Sequence, residues 1–323
     1  MPVVPLPRFQ HPGAASKEII LDQPSPIGTL AALRNRMSKR LIAATAVLLG
    51  LFNATPAPAS FLNVSTRVDI PQPALGEDVT SVIGGFIIGG NVGRKLVIRA
   101  LGPSLAQFGL VPLADPVLQL YDSTGAVIAT NDNWMDSQEQ EILDSGLAPN
   151  NPLESAILMV LPPGAYTAIV QGNSPGSNNV PGSGTGLVEV YDISLTIGTG
   201  LDNISTRGAV QSATDPMIVG FVVGNGDEDS VLIRGLGPSL KDLGLAGLSD
   251  PRLDLFDTEG NLLASNDNWQ DTQSAEIEAT GLAPTELREP AILITLPRGS
   301  YTAVLSPAGT VTHGVALAEV YRL

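Results

Sequence analysis

The chain contains no cysteine and only two histidines among its 323 residues. The absence of cysteine excludes disulfides, thiol nucleophiles, cysteine-ligated zinc and iron–sulfur clusters. With so few histidines, neither a histidine-based catalytic triad nor a multi-histidine metal site is expected. The sequence therefore argues against the commonest catalytic centres, and we expect no catalytic residues.

Basic residues are also scarce, with 17 Lys and Arg against 32 Asp and Glu and a net charge of −15. This balance argues against binding to nucleic acid or to an anionic membrane surface. Hydrophobic residues make up 43% of the chain, which excludes general disorder, while 34 glycines and 26 prolines indicate many turns. Together these features favour a secreted or surface protein rich in β-strands.

The N-terminal 59 residues have the layout of a secretory leader. Lys39 and Arg40 precede the apolar run 41–52, and the small-residue motif at Ala57 and Ala59 follows. We predict a signal peptide over about 37–59, preceded by an N-terminal extension, because the apolar run is too short to span a bilayer. No later apolar stretch is long enough either, so no membrane span is expected after cleavage.

The rest of the chain contains one unit written twice. Arg99–Leu105 returns as Arg234–Leu240, and about half of the positions from 86 to 170 are identical to those 135 residues later. Further matching segments are Asn131–Trp134 with Asn266–Trp269, Gly146–Pro149 with Gly281–Pro284, and Leu161–Ala168 with Leu296–Ala303. Units of this length are ordinary domains rather than solenoid repeats. We therefore divide the chain into repeat 1 (60–197) and repeat 2 (198–323).

Each unit is composed mainly of short β-strand patterns separated by glycine and proline turns. Residues 117–130 indicate a hairpin around the Asp122–Gly125 turn, whereas 137–145 has the composition of one or two helical turns ending at Gly146. The pattern predicts an all-β fold of two tandem, jelly-roll-like β-sandwich domains, each with one short helix.

The first strand of each unit, Asn63–Arg67 or Asn203–Arg207, has several pairing options. The simplest expectation is that it completes the sheet of its own unit. Alternatively, the segment of the second unit could pair with the sheet of the first unit, and residues 60–69 could swap into another molecule, which would make the protein self-assemble.

Each unit resembles the bacterial pre-peptidase C-terminal domain family. The resemblance is carried by the hairpin with Asp-x-x-Gly, the Asn-Asp-Asn-Trp segment and the later Gly-x-Tyr strand. The resemblance covers nearly all of 60–323, although the Ser-Thr-Arg and Gly-Pro-Ser-Leu segments are additional to that family's pattern. It implies a compact β-sandwich found as an accessory module of secreted and surface proteins, with a binding or structural role.

Acidic residues cluster in matching loops of both units. Calcium prefers six to eight oxygen ligands from flexible loops, and a hairpin could bring Asp122 to the same end of a sheet as the loop 131–136. The candidate calcium ligands are Asp122, Asp132, Asp136, Asp257, Asp267 and Asp271. The alternative, which we favour, is that these side chains cap turns and that Asp136 caps the short helix.

Trp134 and Trp269 are the only tryptophans, and each follows an Asn-Asp-Asn segment. An exposed indole beside carboxylates could stack on a sugar. The favoured alternative is that each indole packs over the end of the sandwich with its N–H bonded to a loop carbonyl.

Arg99 and Arg234 lie inside apolar strand patterns. Because a buried charge needs compensation, we expect them to pair with Glu189 and Glu319 of the closing strands rather than to bind an anion.

These observations lead to one favoured function and one alternative. The favoured function is a secreted, non-enzymatic structural or adhesive protein of the bacterial cell surface or extracellular matrix, whose partner is an extracellular polymer or a cell-surface protein. The alternative is a carbohydrate- or matrix-polymer-binding protein stabilised by calcium.

Overall fold

A computed structural model describes residues 61–71, 81–173, 182–194, 200–308 and 313–323. The predicted signal peptide and the predicted boundary at 197–198 lie outside these described residues. Within them the chain is mostly β-strand with two short α-helices, which confirms the prediction of an all-β sandwich. No helix in this part of the chain is long and apolar enough to cross a membrane.

Within its described residues, repeat 1 has eight strands and one α-helix. They are β1 (Phe61–Ile70), β2 (Ser81–Ile88), β3 (Arg94–Leu101), β4 (Pro116–Tyr121), β5 (Val127–Asn131), α1 (Glu139–Asp144), β6 (Ser155–Leu161), β7 (Gly164–Gly172) and β8 (Gly184–Asp192). A 3₁₀ helix, Pro103–Phe108, follows β3. Gly146 adopts a φ of 72° just after α1, a conformation that favours glycine, so the predicted short helix and its glycine end are confirmed.

The strands of repeat 1 pair antiparallel in two sets. One set has the order β1-β8-β3-β6 and the other the order β2-β7-β4-β5. Consecutive strands alternate largely between the two sets, which is the order of a jelly roll. The predicted hairpin is β4–β5.

Repeat 2 follows the same path with fewer breaks. Its elements are β9 (Leu201–Val210), β10 (Met217–Leu236), β11 (Pro251–Phe256), β12 (Leu262–Asn266), α2 (Ser274–Ala279), β13 (Ala291–Pro307) and β14 (Gly314–Arg322). The long strands β10 and β13 each correspond to two strands of repeat 1. They pair with each other twice, at 217–223 with 299–305 and at 228–234 with 291–297.

The first strand of each repeat joins the two repeats together. β1 pairs with β8 of its own repeat and also with the first part of β10. β9 pairs with β14 of its own repeat and also with β2. We call the β1–β10 and β2–β9 pairings the junction. Two sheets therefore cross the junction, and the long strands β10 and β13 each contribute one half to each sheet. The strand orders are β6-β3-β8-β1-β10-β13-β11-β12 and β5-β4-β7-β2-β9-β14-β10-β13.

The two repeats also share one apolar core. A single cluster of buried side chains includes Phe61 and Phe86 of repeat 1 and Phe221 of repeat 2. The rings of Phe61 and Phe221 meet edge to face with centroids 5.6 Å apart. Thr66 and Thr206, which are equivalent residues, hydrogen bond through their hydroxyl oxygens at 2.8 Å. The prediction of two separate domains is therefore not confirmed, because sheets and core both cross from one repeat to the other.

Candidate functional site

The most extensive polar arrangement in repeat 1 surrounds Arg99 on β3. Its Nε donates to Glu189 Oε2 at 2.9 Å, Nη1 to the carbonyl of Leu147 at 2.8 Å, and Nη2 to the hydroxyl of Tyr191 at 3.0 Å. Tyr191 in turn donates to Glu189 Oε1 at 2.9 Å, and the guanidinium lies 4.9 Å from the tyrosine ring centre. The predicted Arg99–Glu189 pair is confirmed.

Repeat 2 reproduces this arrangement around Arg234 on β10. Nε donates to Glu319 Oε2 at 2.5 Å, Nη1 to the carbonyl of Leu282 at 2.5 Å, and Nη2 to Tyr321 at 3.2 Å. The predicted Arg234–Glu319 pair is therefore also confirmed. Because every guanidinium nitrogen of both arginines donates to a partner in its own repeat, the structure favours the predicted pairing over anion binding.

The electrostatics of the two groups keep the arginines charged and the tyrosines neutral. Burial is the largest single effect and would lower the pKa of Arg99, but Glu189, Tyr191 and Glu154 together raise that pKa above its ordinary value. Burial, followed by the Glu319 carboxylate, raises the pKa of Tyr321 to about 12. Burial, followed by the Glu189 carboxylate, likewise raises the pKa of Tyr191, so both phenols stay protonated near neutral pH.

A second buried group, which the sequence analysis missed, explains the Gly-Pro-Ser-Leu motif. Glu154 is fully buried, and its Oε1 accepts hydrogen bonds from the backbone N–H of Gly102 at 3.0 Å and Ser104 at 2.9 Å, and from the Ser104 hydroxyl at 2.5 Å. Gly102 is required because a Cβ there would lie 2.1 Å from the carbonyl oxygen of Leu113. The motif thus binds a carboxylate of its own chain.

Glu289 occupies the same position in repeat 2 and accepts from Gly237 N, Ser239 N and the Ser239 hydroxyl. The signal in the sequence was a glutamate at the same position of both repeats, directly before an apolar strand. Ser104 and Ser239 therefore each donate a hydrogen bond to a buried glutamate, and in the described residues neither is bonded to a histidine that could act as a base.

The Asn-Asp-Asn-Trp segment ties the β4–β5 hairpin to the outer edge of β6. Asn131 Oδ1 accepts from Ala156 N at 2.9 Å, and the Gln138 side chain both donates to the carbonyl of Leu158 and accepts from its N–H. Gln138 achieves this with a φ of 58°, which is uncommon for a residue other than glycine. These side chains protect an edge that would otherwise be open to pairing.

Trp134 and Trp269 are buried beneath the short helices rather than exposed. Trp134 packs with Ile142 and Leu158, and its Nε1 donates to the carbonyl of Asn151 at 3.2 Å. The structural alternative is confirmed for Trp134. The hypothesis of an exposed stacking platform does not fit either tryptophan, because the apolar cluster beneath each helix is completed by its indole.

The six candidate calcium ligands do not converge on one point. Asp122 lies in the β4–β5 turn, where its Oδ1 accepts from Thr124 N at 2.8 Å, whereas Asp132 follows Asn131, which pairs with Leu118 at the far end of the hairpin. The expectation that Asp122 shares one end of a sheet with the 131–136 loop is thus wrong. Asp257 caps the equivalent turn in repeat 2 through Asn261 N at 2.7 Å.

Asp136 does not cap helix α1 as expected, since no side chain caps that helix. Instead it accepts a hydrogen bond from Asn133 Nδ2 at 3.3 Å, and Asp271 accepts one from Asn268 at 3.1 Å. The predicted turn-capping role is confirmed for Asp122 and Asp257, and it is wrong for Asp136 at the helix.

Asp132 lies instead beside Asp115, where Asn173 Nδ2 donates to Asp115 at 3.1 Å and to Asp132 at 3.4 Å. Partial burial, then repulsion from Asp115 and Asp136, raises the pKa of Asp132. Partial burial, then Asp250, does the same for Asp267. Among the described residues no group of three or more Asp, Glu or His side chains is arranged to hold a metal ion. Calcium binding by these aspartates stays a prediction.

A further charged group lies at the junction. Burial lowers the pKa of Arg67 on β1 to about 10, although Asp215 and Asp69 oppose this effect. Burial raises the pKa of both aspartates, and Asp215 adds to the effect on Asp69. These three charges lie where the first strand of repeat 1 meets repeat 2; Arg67 is buried, and the two aspartates are half-buried.

No family model matches the chain, and no curated protein matches it. Solved structures align over most of it at low similarity. The STIV MCP is 12% identical with a TM-score of 0.22, over 84% of this chain and 94% of that chain. A structure of Sulfolobus turreted icosahedral virus is 11% identical with a TM-score of 0.23, over 83% and 90%. The infectious bursal disease virus VP2 subviral particle is 10% identical with a TM-score of 0.16, over 87% and 77%. TM-scores this low do not establish a shared fold.

Proposed function

We propose that this chain is a non-catalytic structural protein exported from a bacterial cell, with a structural or adhesive role at the cell surface or in the extracellular matrix. Its two repeats, each an approximate jelly-roll module, share paired strands and one apolar cluster. The observation that carries the proposal is how the polar residues shared by both repeats are used. Arg99, Glu154 and Asn131 hydrogen bond within repeat 1, to backbone or to another side chain, and their counterparts Arg234, Glu289 and Asn266 do the same within repeat 2.

Catalysis needs groups whose reactivity is left available to a substrate. In the described residues, the fully buried Glu154 and Glu289 have their Oε1 atoms bound by loop N–H groups and a serine hydroxyl. Arg99 and Arg234 are paired with the carboxylates of Glu189 and Glu319. His313 is exposed and belongs to repeat 2 alone. The chemistry of the repeated motifs therefore supports a rigid scaffold rather than a reaction centre.

Export is supported by the leader pattern and by the composition. A signal peptide over 37–59 would release an acidic, cysteine-free chain, whose folding needs no disulfide chemistry. The charge keeps such a chain soluble at high concentration outside the cell.

The test combines export with attachment. We expect a bacterial host to export the protein to its medium or surface fraction, and the intact mass there to show that the mature chain begins near Ser60. Leu48→Arg in the apolar run should abolish this export. Cells that export the protein should attach to a surface or matrix more than cells that express Leu48→Arg and do not export it. Cytoplasmic retention of the unchanged chain would contradict the proposal.

A polysaccharide pull-down with the purified protein separates the two functions weighed from the sequence. Retention on one polysaccharide, released by the free oligosaccharide, would favour the polymer-binding function. Turnover of a glycan or peptide would overturn both.

A further inference from the structure

In repeat 1 a single residue, Asn151, connects the buried glutamate with the buried tryptophan. Trp134 Nε1 donates to the carbonyl oxygen of Asn151 at 3.2 Å, and the N–H of Asn151 donates to Glu154 Oε2 at 3.3 Å. The indole N–H and the second carboxylate oxygen therefore both lie within hydrogen-bond distance of one residue, which satisfies both of them.

The equivalent atoms of repeat 2 do not have this connection. Glu289 is fully buried and Trp269 is only 5% exposed. Glu289 Oε1 accepts three hydrogen bonds from the Gly237–Ser239 loop, as its counterpart does in repeat 1. Glu289 Oε2 and Trp269 Nε1, however, have no hydrogen-bond partner among the described residues. Buried polar side-chain atoms are mostly hydrogen bonded, so these two atoms call for an explanation.

The backbone around the two atoms is nevertheless the same in both repeats. Trp269 N donates to the carbonyl of Glu289 at 3.1 Å, and Glu289 N donates to the carbonyl of Glu286 at 3.2 Å. The corresponding bonds of repeat 1 measure 2.9 Å and 3.2 Å. Because this frame is shared, the indole N–H and the carboxylate of repeat 2 face the same turn, and the gap between them corresponds to the one that Asn151 bridges in repeat 1.

Two substitutions between the repeats account for the difference. In repeat 1, Asn151 Oδ1 accepts from Leu153 N at 3.0 Å, which holds the asparagine within its turn. Its counterpart Glu286 has a longer side chain, whose carboxylate pairs with the exposed Lys241 instead. Lys241 stands where repeat 1 has Ala106. The ion pair thus draws residue 286 towards the surface and away from the indole and the buried carboxylate.

The chemistry of the two atoms defines what can bind between them. An indole N–H only donates a hydrogen bond, whereas a carboxylate oxygen accepts one. A molecule that joins them must therefore both accept and donate, which excludes metal cations and ammonium. Because both side chains are buried, the molecule must also be small. Water meets these conditions, and buried waters typically make about three hydrogen bonds to polar groups of this kind.

We propose that repeat 2 contains an internal water site between Trp269 Nε1 and Glu289 Oε2, beneath the turn 284–289, and that the Lys241–Glu286 pair maintains it. The water accepts from the indole and donates to the carboxylate, and so takes the place that Asn151 has in repeat 1. This proposal goes beyond the structural or adhesive role and does not depend on it, so the export and attachment tests are unaffected by its outcome.

The test uses the two indole N–H signals in the NMR spectrum of the purified, ¹⁵N-labelled protein, after resonance assignment. We expect the Trp269 signal to show a direct Overhauser cross-peak to a long-lived water, and the Trp134 signal to show none. Lys241→Ala with Glu286→Asn installs the residues of repeat 1 and leaves the net charge unchanged. In this variant the turn should close on the indole, and the cross-peak of Trp269 should be lost.

The matched control makes the reverse exchange in the other repeat. Ala106→Lys with Asn151→Glu should give Trp134 a water cross-peak of its own, with the backbone spectrum otherwise unchanged. A high-resolution crystal structure should show the water within hydrogen-bond distance of both Trp269 Nε1 and Glu289 Oε2.

Three results would overturn the proposal. The first is a wild-type Trp269 signal without a water cross-peak. The second is a crystal structure in which Trp269 Nε1 donates directly to the carbonyl of Glu286, as its counterpart does in repeat 1. The third is a cross-peak that persists in Lys241→Ala with Glu286→Asn, because the ion pair would then not maintain the site.

Discussion

At the scale of single residues, the buried charges of each repeat find partners that are distant in sequence. Arg99 on β3 reaches Glu189 on β8, and Glu154 before β6 reaches the loop after β3. Substituting one partner of such a pair leaves the charge of the other buried in a low-dielectric environment without an opposite charge. Substitutions at these positions should therefore be the most severe in the molecule.

Arg99→Leu should lower the free energy of unfolding by about 3–5 kcal/mol, because Glu189 would stay buried and charged without its partner. Equilibrium denaturation in urea measures the change. Tyr191→Phe, which removes one hydroxyl from the same group, should cost about 1 kcal/mol. Arg99→Leu combined with Glu189→Leu should recover much of the loss, and a double variant no better than the single one would contradict this account.

Glu154→Ala should also be strongly destabilising, because three donors of the Gly-Pro-Ser-Leu loop would lose their acceptor at about 1–3 kcal/mol each. Glu154→Gln keeps a carbonyl oxygen at that place and should cost clearly less. Glu139→Gln, on the exposed surface of α1, is the matched control and should change stability by less than about 0.5 kcal/mol. Similar effects of the alanine and glutamine variants would argue against the loop acting as a carboxylate binder.

The aspartates with raised pKa values set the pH dependence of stability. Asp69, Asp132, Asp215 and Asp267 all have folded pKa values above the ordinary 3.8, mainly through burial. The folded state thus binds protons more tightly than the unfolded state, so their contribution makes stability rise as pH falls from neutral, until the unfolded carboxyls also protonate near 3.8.

We expect the melting temperature to rise between pH 7 and mildly acidic pH, and Asp132→Asn with Asp267→Asn to flatten that rise. Asp122 has a lowered pKa, first through its hydrogen bond with Thr124. Its ionised form therefore stabilises the folded state, and this stabilisation is lost only when the pH falls towards that lowered pKa. A melting temperature that falls throughout this range would contradict the assignment.

At the scale of elements, the first strands of the two repeats carry the junction. β1 and β9 run parallel to each other, and Val68 on β1 packs against Gly208, its equivalent on β9. A Cβ at position 208 would lie 2.7 Å from the Val68 side chain, so the two equivalent positions cannot both carry a side chain without movement. The duplication is asymmetric here because both residues occupy the same narrow space.

Gly208→Ala should therefore destabilise the protein by about 1–3 kcal/mol through overpacking. Val68→Ala introduced with it should restore part of the loss, and a double-mutant cycle in denaturant measures this coupling. Gly84→Ala, where a Cβ would lie 3.2 Å from Val188, is a milder comparison. Additive effects of the two substitutions at the junction would show that the strands do not pack as described.

At the scale of the whole molecule, continuous sheets and a common core link the stability of the two repeats. Strands of repeat 1 are paired with strands of repeat 2 at both parts of the junction. Unfolding one repeat alone would expose the edges and the core surface of the other.

We therefore expect one cooperative transition in calorimetry, with equal calorimetric and van't Hoff enthalpies. Arg99→Leu in repeat 1 and Arg234→Leu in repeat 2 should each shift that same transition. Two transitions, each moved by only one of the variants, would support two independent domains instead.

The amino-acid pattern by itself determined the strand-rich fold, the duplication, the β4–β5 hairpin, the helices after Trp134 and Trp269, and the Arg99–Glu189 and Arg234–Glu319 pairs. These features depend on local turn chemistry, on periodicity, or on the rule that a buried charge needs a partner. Only the tertiary structure revealed the junction and the role of Glu154 within an otherwise apolar segment, and it decided between the two alternatives for the indoles by burying both. Strand pairing across repeats depends on which edges meet in space, and two equivalent edges look the same in sequence whether they join within a repeat or between repeats.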